Sequence, residues 1–170
     1  MPKNLEIKAK ILSIADAEKI ARSLQARFVC KMKQVDTYFN VSNGRLKLRE
    51  IDDSQTELIS YARDETESQR MSDFTVLKVG DGCVIKQMLT VSLGVKVQVE
   101  KVRTLFMFDL TRIHLDEVSG LGTFIEFEVL VHNSEEDAKQ TMKHLIESFQ
   151  IKEKDCFKGS YSDLLMNITG

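Results

Sequence analysis

The sequence predicts an α+β fold: one antiparallel sheet of about eight strands, strongly curved or closed, with three or four helices on its outside. Three observations carry this. Short runs such as NLEIKAKIL, RLKLRE and RIHLDEV alternate apolar and charged residues, the period of a strand with two unlike faces. Turn residues (SNG, DDS, GLG) separate several of these runs closely, so neighbouring strands are joined as hairpins. A few segments instead space their apolar residues by three and four, the period of an amphipathic helix.

The elements follow in order. In residues 4–12, Leu5, Ile7, Ala9 and Ile11 face one way and Glu6, Lys8 and Lys10 the other, a first strand. SIADAEKIARSLQARF places Ile14, Ala17, Ile20, Ala21 and Leu24 on one helical stripe, and Asp16 and Glu18 suit the positive end of that helix. Residues 29–40 read as a second strand, closed by the Asn43-Gly44 turn. RLKLRE puts Arg45, Lys47 and Arg49 on one face, and Asp52-Asp53-Ser54 turns the chain into ELISYARDE. A polar loop and the short strand DFTVLKV come next, then a helix over CVIKQMLTVSLG that ends near Gly94. KVQVEKVRTLFMF, RIHLDEV and TFIEFEV are the last three strands. Ser134 is the expected N-cap of a helix with a stripe of Ala138, Met142, Leu145, Ile146 and Phe149. The tail CFKGSYSDLLMNI is short and expected to dock.

Length sets the domain count. The 170 residues make one domain, 1–170, with room for a sizeable core. The near-balance of 24 Lys+Arg against 26 Asp+Glu argues against a general nucleic-acid binder, which carries a basic excess. Cys30, Cys83 and Cys156 are odd in number and widely spaced, which reads as packing in a reducing compartment. The charged start MPKNLEIKAK resembles no secretory signal, and no apolar run approaches a membrane span, so the expected location is the cytoplasm, without a membrane partner.

Function is legible in the charged faces. Lys8, Lys10, Lys47, Arg49, Arg63, Lys101, Arg103 and Arg112 recur strand after strand, together with Glu6, Asp116, Glu126 and Glu128. An ordinary sheet turns such faces to water. Here the helices need an apolar partner, and the apolar faces of a curved sheet are the obvious one. The charged faces then look inward, around water, metal and an anion. Eight bases against four acids describe a polyphosphate chelated to a divalent cation. Arg and Lys suit phosphate oxygens. Clustered carboxylates suit Mg²⁺ or Mn²⁺.

These segments together resemble the CYTH family, the triphosphate tunnel metalloenzymes, which include class IV adenylyl cyclases, thiamine triphosphatases and inorganic tripolyphosphatases. NLEIKAK is similar to the N-terminal ExExK signature, VDTYFN, GRLKLRE and ELISYARDE to the next strands, VEKVR to the paired-base strand, and RIHLDEVSGLGTFIEFE to the most characteristic segment. The resemblance spans nearly the whole chain. It implies a closed or nearly closed eight-stranded antiparallel β-barrel, a tunnel with helices packed outside. It implies that Glu6, Glu126 and Glu128, with Asp116 nearby, hold Mg²⁺ or Mn²⁺. Lys8 matches the signature lysine that orients or deprotonates the nucleophile. Lys10, Lys47, Arg49, Arg63, Lys101, Arg103 and Arg112, with Lys158 in the tail, match positions that grip a triphosphate. Asn4 stands where the signature has its first glutamate; its amide oxygen can ligate metal but brings no charge.

The expected activity is metal-dependent hydrolysis of inorganic tripolyphosphate or of an organic triphosphate such as thiamine triphosphate. A class IV adenylyl cyclase, making cyclic AMP and pyrophosphate from ATP, is the alternative. A non-catalytic polyphosphate- or nucleotide-binding module is the third reading, favoured by Asn4. Monomer and homodimer both stay open. Four remaining groups have plainer expectations. His114 hydrogen-bonds within the wall, Tyr38 and Tyr61 pack at the sheet ends unless they stack on an organic ring, and Gly120-Leu121-Gly122 is a turn, not a phosphate loop.

Overall fold

The alternating runs pair into a single eight-stranded antiparallel sheet. The computed structural model describes residues 3–61 and 74–169. Along the chain lie β1 (Lys3–Lys10), α1 (Ile14–Ser23), β2 (Arg27–Phe39), β3 (Arg45–Ile51), β4 (Gln55–Tyr61) and β5 (Phe74–Val79). Then come α2 (Gly82–Leu93), β6 (Val95–Phe108), β7 (Thr111–Val118), β8 (Gly122–Val131), α3 (Glu135–Ser148), a 3-10 turn at Glu153–Asp155, and α4 (Tyr161–Thr169). The strand order is β1-β8-β7-β6-β2-β3-β4-β5.

The expected closure does not occur. β1 and β5 are the two edges, and among the described residues no ladder joins them. The sheet is curled, because residues of β1 and of β4 and β5 line one cavity. Part of the β1 edge is met by the tail instead. The Phe157 N–H donates to the Lys8 carbonyl at 3.1 Å, and Cys156 bridges Ala9. Bulges in β2, between Phe28 and Cys30 and between Tyr38 and Phe39, add local bend.

The convex face carries the main core. Ile113, Leu115, Ile125, Phe127 and Phe106 lie buried beneath Ala17 and Ala21 of α1 and Met142 and Leu145 of α3. Both helices start as their sequences prescribe: Ser13 accepts from the Asp16 N–H at 3.1 Å, and Ser134 from the Asp137 N–H at 3.0 Å. α2 departs from the expected sheath. It touches β2 and β4 but buries none of its residues, leaving Val84, Met88 and Val91 exposed. A second, smaller cluster joins Tyr38, Val99, Val118 and Phe124 to Tyr161 of α4, which packs on β6. Gly120 and Gly122, at φ 77° and 108°, form the tight β7–β8 turn. No helix among the described residues is long and apolar enough to cross a membrane.

Candidate functional site

Period two decides which side chains meet. With Ile113 and Phe127 turned to the helices, Arg112, His114, Asp116, Glu126 and Glu128 must take the other face. Glu6 and Lys8 of β1, Asp36 of β2, Lys47 and Arg49 of β3 and Lys101 and Arg103 of β6 share that concave side. Most of these line a cavity of about 290 Å³, near the lower end for small-molecule sites.

Two buried aspartates organise the bases. Asp36, 1% exposed, accepts from Arg49 Nε and Nη2 at 2.8 Å each, from Lys47 Nζ at 3.0 Å and from Lys101 Nζ at 3.2 Å. Burial pushes its pKa up, but the cations of Lys47, Lys101 and Arg49 outweigh burial and hold it well below the usual carboxylate range. Desolvation presses Lys101 the other way, down to about 7, against the pull of Asp36. Asp116 is fully buried and takes both fork nitrogens of Arg103 at 2.7 Å, plus the Tyr161 hydroxyl at 2.7 Å. Such buried pairs contribute little net stability but fix where the cations stand.

Three further acids, Glu6, Glu126 and Glu128, neighbour one another. Glu126 Oε2 meets Lys8 Nζ at 3.1 Å and Arg103 Nη2 at 3.7 Å, and Glu128 Oε2 meets Arg112 Nη1 at 3.5 Å. Cross-strand pairing sets His114 opposite Glu126, and Glu6 opposite Glu128. His114, Glu126 and Glu128 each offer one ligand atom within 4.8 Å of the others. Burial raises Glu126, yet Lys8, His114 and Arg103 keep it well below the normal range. Burial and the charges of Glu126 and Glu6 push Glu128 up to about 8. Convergent carboxylates of this kind suit a divalent cation, and so does the His114 Nδ1, buried with no hydrogen-bond partner. These residues therefore fit a divalent ion.

The family assignment rests on a sequence match. The model of the CYTH domain matches residues 2–161. The chain belongs to the CYTH family. No curated protein matches it. Several solved structures share the CYTH chain's fold. The PH1012 protein of Pyrococcus horikoshii superimposes with a TM-score of 0.83 at 20% identity, over 95% of this chain and 98% of that one. A protein of Vibrio parahaemolyticus described as a candidate adenylate cyclase gives 0.77 at 19%, over 96% and 98%. HpAC1 of Hippeastrum, a candidate adenylyl cyclase with a dominant triphosphatase activity, gives 0.68 at 14%, over 98% and 96%. At such identities the likeness is one of fold.

Within this CYTH domain the expected site residues fall into groups. Lys8, Lys47, Arg49, Lys101, Arg103, Arg112, Glu6, Glu126 and Glu128 line the one cavity. Lys158 lines an adjoining cavity of about 350 Å³, which shares Glu6, Lys8 and Glu126 with the first. Lys10 is exposed at the end of β1, away from both. Arg63 lies outside the described residues. Asp116 occupies a place unlike the one expected of a metal ligand, since Arg103 and Tyr161 already engage both its oxygens. Its pKa shows the same balance: burial raises it, and Arg103 more than reverses that. His114 is buried in the wall beside Glu126 and Glu128, with no hydrogen-bond partner at Nδ1.

Sequence reasoning missed Asp36 and Tyr161. Asp36 alternates in phase with Gln34 and Tyr38 on β2 and pairs across the strands with Arg49, a signal available in the strand pattern. Its inclusion also reduces the expected cationic excess, because the cavity sets five acids (Glu6, Asp36, Glu57, Glu126, Glu128) against six bases. Tyr161 gave no such signal: it sits on a helix, and only the docked tail brings its ring to 4.2 Å from Lys8 Nζ.

Proposed function

We propose that this CYTH protein is a Mg²⁺- or Mn²⁺-dependent hydrolase of a triphosphate, either inorganic tripolyphosphate or an organic triphosphate such as thiamine triphosphate. One observation carries the reading. Glu6, Glu126 and Glu128 line the same cavity as Lys47, Arg49, Lys101 and Arg103, and His114 lies with Glu126 and Glu128. A plain anion patch needs no such cluster of acids.

Each residue has a part in this reading. Arg49 and Arg103, fixed by their aspartates, present guanidinium edges to phosphate oxygens and stabilise charge that develops on the transferred group. Lys47 and Lys101 add point charges between them. Lys8, clamped between Glu126 and the Tyr161 ring, orients water or takes its proton. Arg112, largely exposed at the rim, steers the anion inward. Glu126 and Glu128, with Glu6, hold the divalent ion, while Asp116 keeps Arg103 in place. A bound ion polarises phosphate oxygens and lowers the pKa of its water.

The adenylyl cyclase reading keeps one supporting feature. Tyr38, Tyr61, Ile59, Val76 and Val99 form an apolar stretch of the same cavity. A purine or a thiazole ring would suit it equally. One panel separates the readings: the protein with Mn²⁺ or Mg²⁺ and tripolyphosphate, thiamine triphosphate or ATP. Orthophosphate release supports the hydrolase and cyclic AMP the cyclase. Binding without turnover indicates a carrier module. Glu126→Gln should abolish either activity, and an unchanged rate in that variant refutes the metal assignment.

A further inference from the structure

Among the described residues, His114 and Gln34 each bury a side-chain polar atom without a hydrogen-bond partner, and of the two only His114 faces acids. It is 5% exposed and its Nδ1 has no hydrogen-bond partner. A buried polar nitrogen left unpaired is destabilising, so something is expected to meet it. What it faces is specific. Glu126 Oε1 lies 3.9 Å away and Glu128 Oε1 3.7 Å away, both too long for hydrogen bonds. The other oxygen of each glutamate is already directed elsewhere, Glu126 Oε2 to Lys8 and Glu128 Oε2 to Arg112. One ligand atom of each of the three residues therefore lies within 4.8 Å of the others.

The spacing is that of donors around an ion. Metal–nitrogen and metal–oxygen bonds of about 2.0–2.2 Å put two ligands of one ion about 3–4 Å apart. Both His114–carboxylate separations fall in that window. The scaffold holds them there, since His114 and Glu126 are a cross-strand pair on the adjacent strands β7 and β8, and Glu128 follows two residues on.

We propose that His114 is a nitrogen ligand of the divalent ion, sharing it with Glu126 and Glu128. This rests on the metal-dependent reading of the cleft and extends it to metal choice. An all-oxygen site suits Mg²⁺. Replacing one oxygen by imidazole favours Mn²⁺, Co²⁺ and Zn²⁺, which accept nitrogen more readily. Asn4, a neutral residue lining the same cavity, fits such a site, because the imidazole supplies the donor that a further carboxylate would otherwise supply.

The test reads coordination directly, without turnover. Load the full chain with Mn²⁺ alone and record pulsed electron paramagnetic resonance. The wild type should show coupling to a ring ¹⁴N, and His114→Gln should lose it. Calorimetric Mn²⁺ affinity should fall on the order of 10- to 100-fold in that variant, with Mg²⁺ affinity falling distinctly less. The wild-type spectrum needs no variant, so a misfolded His114→Gln leaves the test intact. Bound Mn²⁺ with no nitrogen coupling overturns the His114 assignment and leaves the glutamates as ligands. Failure of wild type to bind Mn²⁺, with or without tripolyphosphate, overturns both.

Discussion

At the scale of single residues, Asp36 and Lys101 show how the cleft keeps its bases close together. Three cations within 3.2 Å of one carboxylate would repel each other if it were absent. Asp36→Asn should therefore cost about 3–5 kcal/mol, the range for breaking a buried ion pair. Tripolyphosphate should restore part of that loss, because its charge replaces the missing acid. Thermal unfolding with and without the anion checks this, and an equal loss in both conditions counts against the arrangement. Lys101 gives a pH dependence. Burial pushes it down to about 7. A bound anion favours the charged ammonium and raises that pKa, so binding above neutrality takes up a proton. Affinity is then fully present below about pH 7 and declines as pH climbs toward the higher value in the complex. The affinity difference between wild type and Lys101→Met removes the anion's own titration. That difference should shrink from about pH 7 to about pH 9, and a flat difference refutes it.

At the scale of elements, the site depends on what holds the sheet's other face. α3 packs Leu145, Met142 and Ala138 onto the core beneath the acid-bearing strand β8. Leu145→Ala should cost about 2–5 kcal/mol. The folded fraction should still bind Mn²⁺ as wild type does, since no α3 side chain lines the cavity. A changed Mn²⁺ affinity would show that α3 positions the site as well as supporting it. Most elements were readable because their signals are local. Ser13 and Ser134 cap where Ser precedes an apolar stripe, and Glu126 and Glu128 alternate with Phe127 on one strand. Closure was not readable. Whether β1 meets β5 depends on two segments at opposite ends of the sheet order, and nothing in either strand's alternation specifies the other. The tail's hold on β1 through Phe157 is a backbone contact, which leaves no side-chain pattern to detect. Asp36 differs from these, since its phase is visible on β2, while its role as the partner of three bases depends on strand pairing with β3 and β6.

At the scale of the whole molecule, the site exists only while the curl exists. Its lining comes from all eight strands and from α4, and in the unfolded chain nothing holds these segments together. A ligand of this cleft thus binds the folded state alone and stabilises it by mass action, about 2.7 kcal/mol at a hundredfold excess over its dissociation constant. For a chain of this length that is an upward shift of roughly 5–11 °C in the unfolding midpoint. The cation and the anion should not act independently. Mn²⁺ at the Glu126–Glu128 end offsets the acids that repel a triphosphate, and the triphosphate offsets the bases that repel Mn²⁺. The preformed Mn²⁺–tripolyphosphate complex should therefore raise the midpoint by more than the sum of the two separate shifts. Differential scanning fluorimetry with each ligand alone and with the complex measures this. Hydrogen exchange locates it: protection should rise together in β3 and in the β1–β8 pair, which lie at separated places in the sheet order yet face one cavity. Shifts that merely add, with protection confined to β8, would mean that metal and anion occupy separate places and that the curled sheet encloses no shared site.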